Sequence, residues 1–166
     1  MSLAGLDTSL LLFARTHGHH PRWVERLIGA YSRTGEHAAC WIALGTAGAV
    51  RDQDAERRRQ WRRGVVIVLG AYAVNYAVKL VVRRPRPELP GLPPLTPTVS
   101  RLSFPSAHAT TSFAAARAYS RTAPGAVLYA AAAGFALSRP YLGVHYPSDV
   151  LGGAALGTLL AEAWPR

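Results

Sequence analysis

Three short clusters carry most of the chemistry in this chain. The first is "KLVVRRPRP", with Lys79 and Arg86 seven residues apart. The second is "FPSAHATTS", with Ser106, Ala107 and His108. The third is "SRPYLGVHYPSD", with Arg139, His145 and Asp149. Polar groups are expensive in apolar surroundings, so each needs a reason. Pro147 suits the first turn of a helix, and His145 sits just before it, close enough to Asp149 to hydrogen-bond. A carboxylate on one imidazole nitrogen fixes the tautomer and leaves the other nitrogen as a nucleophile or base. Ser106 is a candidate N-cap, with His108 in the first turn that follows. Such a helix end has free backbone N–H groups and binds phosphate. Its dipole opposes a charge on His108, which a bound anion would restore.

Each cluster also has a plainer reading. A lysine near the end of an apolar helix can snorkel to the interface. Arg83, Arg84 and Arg101 can flank a membrane or guide an anion. A His–Asp pair can serve a metal site. Yet the face offers only His108 and His145 as clear imidazole ligands, with few carboxylates and several cations around them. That setting repels a divalent cation and welcomes an anion, so neither metal nor other cofactor is expected. Taken together, the clusters make a phosphoryl-transfer site. Cations and N–H donors stabilise the charge on the transferred group. One histidine can attack phosphorus while the other protonates the leaving oxygen.

The elements that position these groups follow from composition. A length of 166 residues reads as one domain, 1–166. Hydrophobic residues make up 49% of the chain, yet the net charge is +10, with Lys79 the sole lysine. Six arginines fall within 51–63, "RDQDAERRRQWRR", between apolar stretches. That is the charge pattern of a cytoplasmic loop in a membrane protein, and it argues against nucleic acid as the partner. Cys40 is alone, which excludes an internal disulfide framework and suits a small core residue.

No period-2 alternation is sustained, so the expected fold is an all-α integral-membrane bundle of about six helices. Residues 1–35 hold short or amphipathic helices, one over 3–16 that inserts or lies on the surface. Apolar runs follow at 37–50, 64–82, 107–118, 126–137 and 150–164. Only 64–82 approaches the roughly 20 residues that span a bilayer alone. The Pro-rich stretch 83–104 cannot continue a helix and forms an extramembrane rim or lid. "GAALG" at 153–157 has the GxxxG form and is read as packing within the chain, so a homo-oligomer is compatible but not required. With 51–63 cytoplasmic, 83–104 and 138–149 share the non-cytoplasmic face, and Arg121 and Arg166 return to the cytoplasm. The expected location is the plasma membrane, crossed several times.

The chain resembles the type 2 phosphatidic acid phosphatase (PAP2) superfamily. Its pattern is K-x6-R-P, then P-S-G-H, then S-R-x5-H-x3-D. Here these are Lys79 with Arg86-Pro87, Pro105 to His108, and Ser138-Arg139 with His145 and Asp149. The motifs span 79–149. Ala107 replaces the glycine, and its N–H can still donate. The resemblance implies metal-independent hydrolysis of a lipid phosphate monoester through a phosphohistidine. His145 would be the nucleophile, Asp149 its orienting base, and His108 the acid for the leaving alkoxide. Lys79, Arg86, Ser106, Ala107 and Arg139 would bind the phosphoryl oxygens. "PSAHATTSFAAARAYS" and "SRPYLGVHYPSDVLGG" look like the actinobacterial decaprenylphosphoryl-5-phosphoribose phosphatases, which serve cell-wall arabinan synthesis. The alternatives are a polyprenyl diphosphate phosphatase, a phosphatidate or phosphatidylglycerophosphate phosphatase, and a lipid-phosphate-binding scaffold without activity.

Overall fold

The computed structural model describes residues 3–17 and 21–165, so the expected return of Arg166 to the cytoplasm lies outside the described residues. Among the described residues are seven α-helices: α1 (Leu3–His17), α2 (Arg22–Thr34), α3 (Ala39–Arg51), α4 (Ala55–Val82), α5 (Ala107–Tyr119), α6 (Gly125–Tyr141) and α7 (Pro147–Ala163). A short 3-10 turn, Glu36–Ala38, joins α2 to α3. No strand is present among these residues, as expected; an isolated bridge joins Pro85 to Leu102. The count is seven against about six expected, and both N-terminal segments are helical, as expected.

The arginine-rich stretch is not a loop. α4 starts at Ala55, and the Asp54 carboxylate caps it by accepting the Arg57 N–H at 2.7 Å. Ala, Glu, Arg and Gln are strong helix formers, and two aspartates favour the positive end of a helix. Hydropathy registers only the apolar half of this helix. At 28 residues α4 is about 42 Å long. Its basic start and its Lys79 end therefore lie at opposite ends of the bundle.

α5 runs through the middle, packed against α4, α6 and α7. Nine of its thirteen residues are buried, and most are Ala, Thr or Ser. A thin central helix lets three neighbours approach closely. α7 meets it through Gly153 and Gly157, so the GxxxG pattern does pack within the chain. A Cβ at Gly157 would lie 2.0 Å from the Thr110 carbonyl oxygen. At the far end, Tyr119 donates to the Trp41 carbonyl at 3.0 Å and fills the space beside Gly45 and Gly64.

Topology puts four helix ends together: the C-terminal ends of α4 and α6 and the N-terminal ends of α5 and α7. α6 continues past the expected 137 to Tyr141 and so carries Arg139 in its last turn. α4 alone among the described residues is long and apolar enough to cross a bilayer by length and composition. Val66, Leu69 and Val81 on α4, Val127 and Leu137 on α6, and Leu151 and Leu159 on α7 are exposed. Such outward apolar side chains match lipid rather than water.

Gly157→Ala should destabilise the bundle by about 1–3 kcal/mol, the usual range for overpacking. Gly29→Ala, where a Cβ meets nothing within 4 Å, should not. Thermal unfolding in detergent separates the two, and equal midpoints would contradict the close α5–α7 approach.

Candidate active site

The four converging helix ends enclose one cavity. Lys79, Arg86, Ala107, His108, Arg139 and His145 all line it, so three separate sequence clusters meet there. Asp149 and Ser106 lie immediately behind the lining and are fully buried.

His145 is 2% exposed and sits in the turn between α6 and α7. Arg86 Nη1 lies 3.1 Å from its Nε2. A guanidinium can only donate, so Nε2 carries the lone pair and the proton belongs on Nδ1. That nitrogen faces Asp149 Oδ2 at 3.4 Å. The separation is longer than a settled hydrogen bond. Asp149 Oδ2 also accepts the Tyr146 N–H at 2.8 Å, which fixes it at the start of α7. Burial, then the charges of Arg86, Arg139 and Lys79, hold the His145 pKa well below its ordinary value. The imidazole is therefore neutral at physiological pH.

The cations differ in what they do. Arg86 donates from Nε to the Ser100 carbonyl and from Nη1 to the Val144 carbonyl, both at 2.7 Å. Burial lowers its pKa to about 10, which leaves it charged near neutrality. Arg139 donates through Nη1 to Ser32 Oγ at 2.6 Å, while its buried Nε has no protein partner. Lys79 gives all three ammonium protons to carbonyls: Leu102 at 3.3 Å, Ser103 at 3.0 Å and Pro105 at 2.7 Å. In this arrangement Lys79 offers the cavity its charge, while its hydrogen bonds brace the loop that leads into α5.

Ser106 precedes α5 but does not cap it with its side chain; its buried Oγ has no protein partner. Its N–H donates to the Asp149 carbonyl at 2.9 Å, tying the starts of α5 and α7 together. His108 Nε2 lies 2.9 Å from the Ser32 carbonyl. It must carry a proton to make that bond, which leaves Nδ1 for proton exchange. Among the described residues, no group of three His, Cys, Asp or Glu side chains could hold a metal ion.

A profile of the PAP2 superfamily matches residues 61–166. The chain belongs to the PAP2 superfamily. Two relatives are decaprenylphosphoryl-5-phosphoribose phosphatases. The Mycolicibacterium smegmatis protein is 46% identical over 124 residues, covering 75% of this chain and 68% of its own length. The Mycobacterium tuberculosis protein is 42% identical over 126 residues, covering 76% and 70%. Two solved structures share the fold at 22% identity. The Bacillus subtilis transmembrane PAP2 type phosphatidylglycerolphosphate phosphatase has a TM-score of 0.75, over 96% of this chain and 83% of that one. The Aquifex aeolicus LpxE has a TM-score of 0.73, over 95% and 93%.

Sequence reasoning missed three supporting residues. Ser32, near the end of α2, reaches both Arg139 and His108. Asn75 donates to the Pro105 carbonyl at 3.2 Å and to Thr110 Oγ1 at 2.8 Å. Arg84, read as a membrane flank or substrate guide, instead donates to Asp149 Oδ1 at 2.9 Å. Asn75 was findable, since it lies four residues before Lys79 on the same face of an apolar helix. Ser32 left no such signal, because a lone serine in an amphipathic segment looks like surface.

Proposed function

We propose that this membrane phosphatase removes the 5-phosphate of a decaprenylphosphoryl-5-phosphoribose, through a phosphohistidine on His145 and without a metal ion. The observation that carries the reading is the His145 Nε2 lone pair, held in a cationic cavity with Asp149 behind the other ring nitrogen. The activity for which the two mycobacterial relatives are named supports the choice of substrate.

In the first step His145 Nε2 attacks phosphorus, and the bond to the ribose C5 oxygen breaks. His108 gives its proton to that oxygen, so the product leaves as an alcohol. Asp149 stabilises the positive charge that forms on His145. In the second step water attacks phosphorus, His108 takes its proton, and the P–N bond breaks to release phosphate and His145. Arg86, Arg139 and the N–H groups at Ala107 and His108 bear the oxygen charge, together with Ser106 Oγ and the charge of Lys79. The dianionic phosphoryl group favours a protonated His108.

Purified wild type should release phosphate from the phosphoribosyl lipid faster than from polyprenyl diphosphate, phosphatidate or phosphatidylglycerophosphate. His145→Ala should abolish turnover, and Asp149→Asn should lower kcat by roughly 10³-fold or more with a smaller change in KM, as when the orienting carboxylate of a histidine is neutralised. Preference for another lipid in the panel would replace the proposed substrate. Release by His145→Ala at the wild-type rate would remove the nucleophile.

The orientation proposed is several crossings of the plasma membrane, with the site on the non-cytoplasmic face and the arginine-rich start of α4 inside. In a chain carrying Cys40→Ala, Ala55→Cys and Leu92→Cys should react with an impermeant thiol reagent from opposite sides. Reaction of both from one side contradicts this arrangement.

A further inference from the structure

Asp149 must keep one oxygen directed at His145, and a fully buried carboxylate cannot do this unaided. Unpaired buried charge is costly, and a short side chain has two oxygens to satisfy. The Tyr146 N–H serves Oδ2, as described above. Oδ1 is served by Arg84, an arginine that the phosphoryl-transfer steps leave unused.

Arg84 sits between two carboxylates. Its Nη1 donates to Asp149 Oδ1 at 2.9 Å and to Ser148 Oγ at 2.7 Å. Its Nη2 donates to Asp7 Oδ2 at 2.7 Å. Its guanidinium carbon lies 4.1 Å from the centre of the Tyr146 ring, so the fork is held on its flat side as well. Asp7 closes the ring. Its Oδ1 accepts the Ser148 N–H at 3.0 Å, and its Oδ2 accepts the Ser148 hydroxyl. Asp7 is only 6% exposed, although it comes from α1, a short helix at the other end of the chain. It lies outside the matched span 61–166.

We infer that Asp7 and Arg84 are positioning residues for the nucleophile, acting in series through Asp149 on His145. The two ends of the guanidinium do different jobs. One end fixes Asp149 so that Oδ2 stays aimed at Nδ1 of His145. The other is anchored by Asp7, which also balances the second charge that Arg84 brings into the site. Asp7 adds a backbone bond at the first turn of α7, so it fixes the helix end that presents Asp149. An arginine fork suits this task because its donors are rigidly spaced, whereas a lysine would hold one carboxylate as a point charge. No part of the chain Asp7–Arg84–Asp149 lines the cavity, so its effect should fall on turnover rather than on substrate capture.

The inference rests on the phosphatase reading, and two measurements keep the failures apart. In full-length enzyme, Asp7→Asn and Arg84→Lys should each lower kcat roughly tenfold or more, with KM changed by less than about twofold. Added to Asp149→Asn, Asp7→Asn should lower kcat by less than about twofold further, because residues in one network are non-additive. Asp7→Glu should recover part of the loss. Multiplying effects, or losses confined to KM, would overturn the assignment. The second measurement needs no turnover. With isotope-labelled histidine, the Nδ1–H resonance of His145 should move in Asp7→Asn and in Arg84→Lys. A chain that hydrolyses no lipid but shows this movement supports the positioning role and refutes the phosphatase reading. An unmoved resonance in folded variants overturns the positioning role. If Arg84→Lys proves poorly folded, the thermal midpoint will show it, and Asp7→Asn with Asp7→Glu carries the test.

Discussion

The Lys79 ammonium is the joint on which the site turns. Buried at the end of an apolar helix, it must find partners for three protons. It finds them in the carbonyls of Leu102, Ser103 and Pro105. Those residues form the last turn of the Pro-rich loop before α5. Their placement sets where Ser106, Ala107 and His108 stand. Asn75, one helical turn earlier, ties the same loop to Thr110 inside α5. A single cation thus charges the cavity and aligns the helix start that completes it.

The second constraint concerns the two histidines, whose ring nitrogens are assigned by their neighbours. Arg86 can only donate, so it defines the Nε2 lone pair of His145. The Ser32 carbonyl can only accept, so it defines the proton on His108 Nε2. The pair is therefore differentiated before any substrate is bound: one ring offers electrons and the other has a nitrogen left for proton exchange. Burial and the surrounding cations keep His145 neutral, and the same cations favour an anionic ligand. A site that repels protons and attracts phosphate can use histidine as a nucleophile in water at neutral pH.

Much of this was legible in the sequence, for a physical reason. Lys79, Arg86, His108, Arg139, His145 and Asp149 sit at or near helix ends, where short-range spacing fixes direction. Apolar runs between them indicate how the ends must meet. The close packing of α7 was also legible, from the GxxxG form of 153–157. Other features were not. The start of α4 looked like a loop, since hydropathy cannot distinguish a charged helical turn from a charged loop. The three hydrogen bonds of Lys79 go to backbone, which carries no residue-type signal. Asp7, Ser32 and Arg84 act through contacts between distant parts of the chain, and single polar residues of this kind have no period to reveal them. The N-terminal helices, read as short or amphipathic, supply Ser32, which reaches Arg139 and His108, and Asp7, which reaches Arg84.

The most direct test of the central claim is to trap the intermediate. Enzyme mixed with radiolabelled phosphoribosyl lipid and quenched within one turnover should carry an acid-labile, base-stable phosphoryl group. Peptide mapping should place it on His145, and Asp149→Asn should accumulate less of it. Label found on His108, or turnover with no labelled protein at any quench time, would contradict the account.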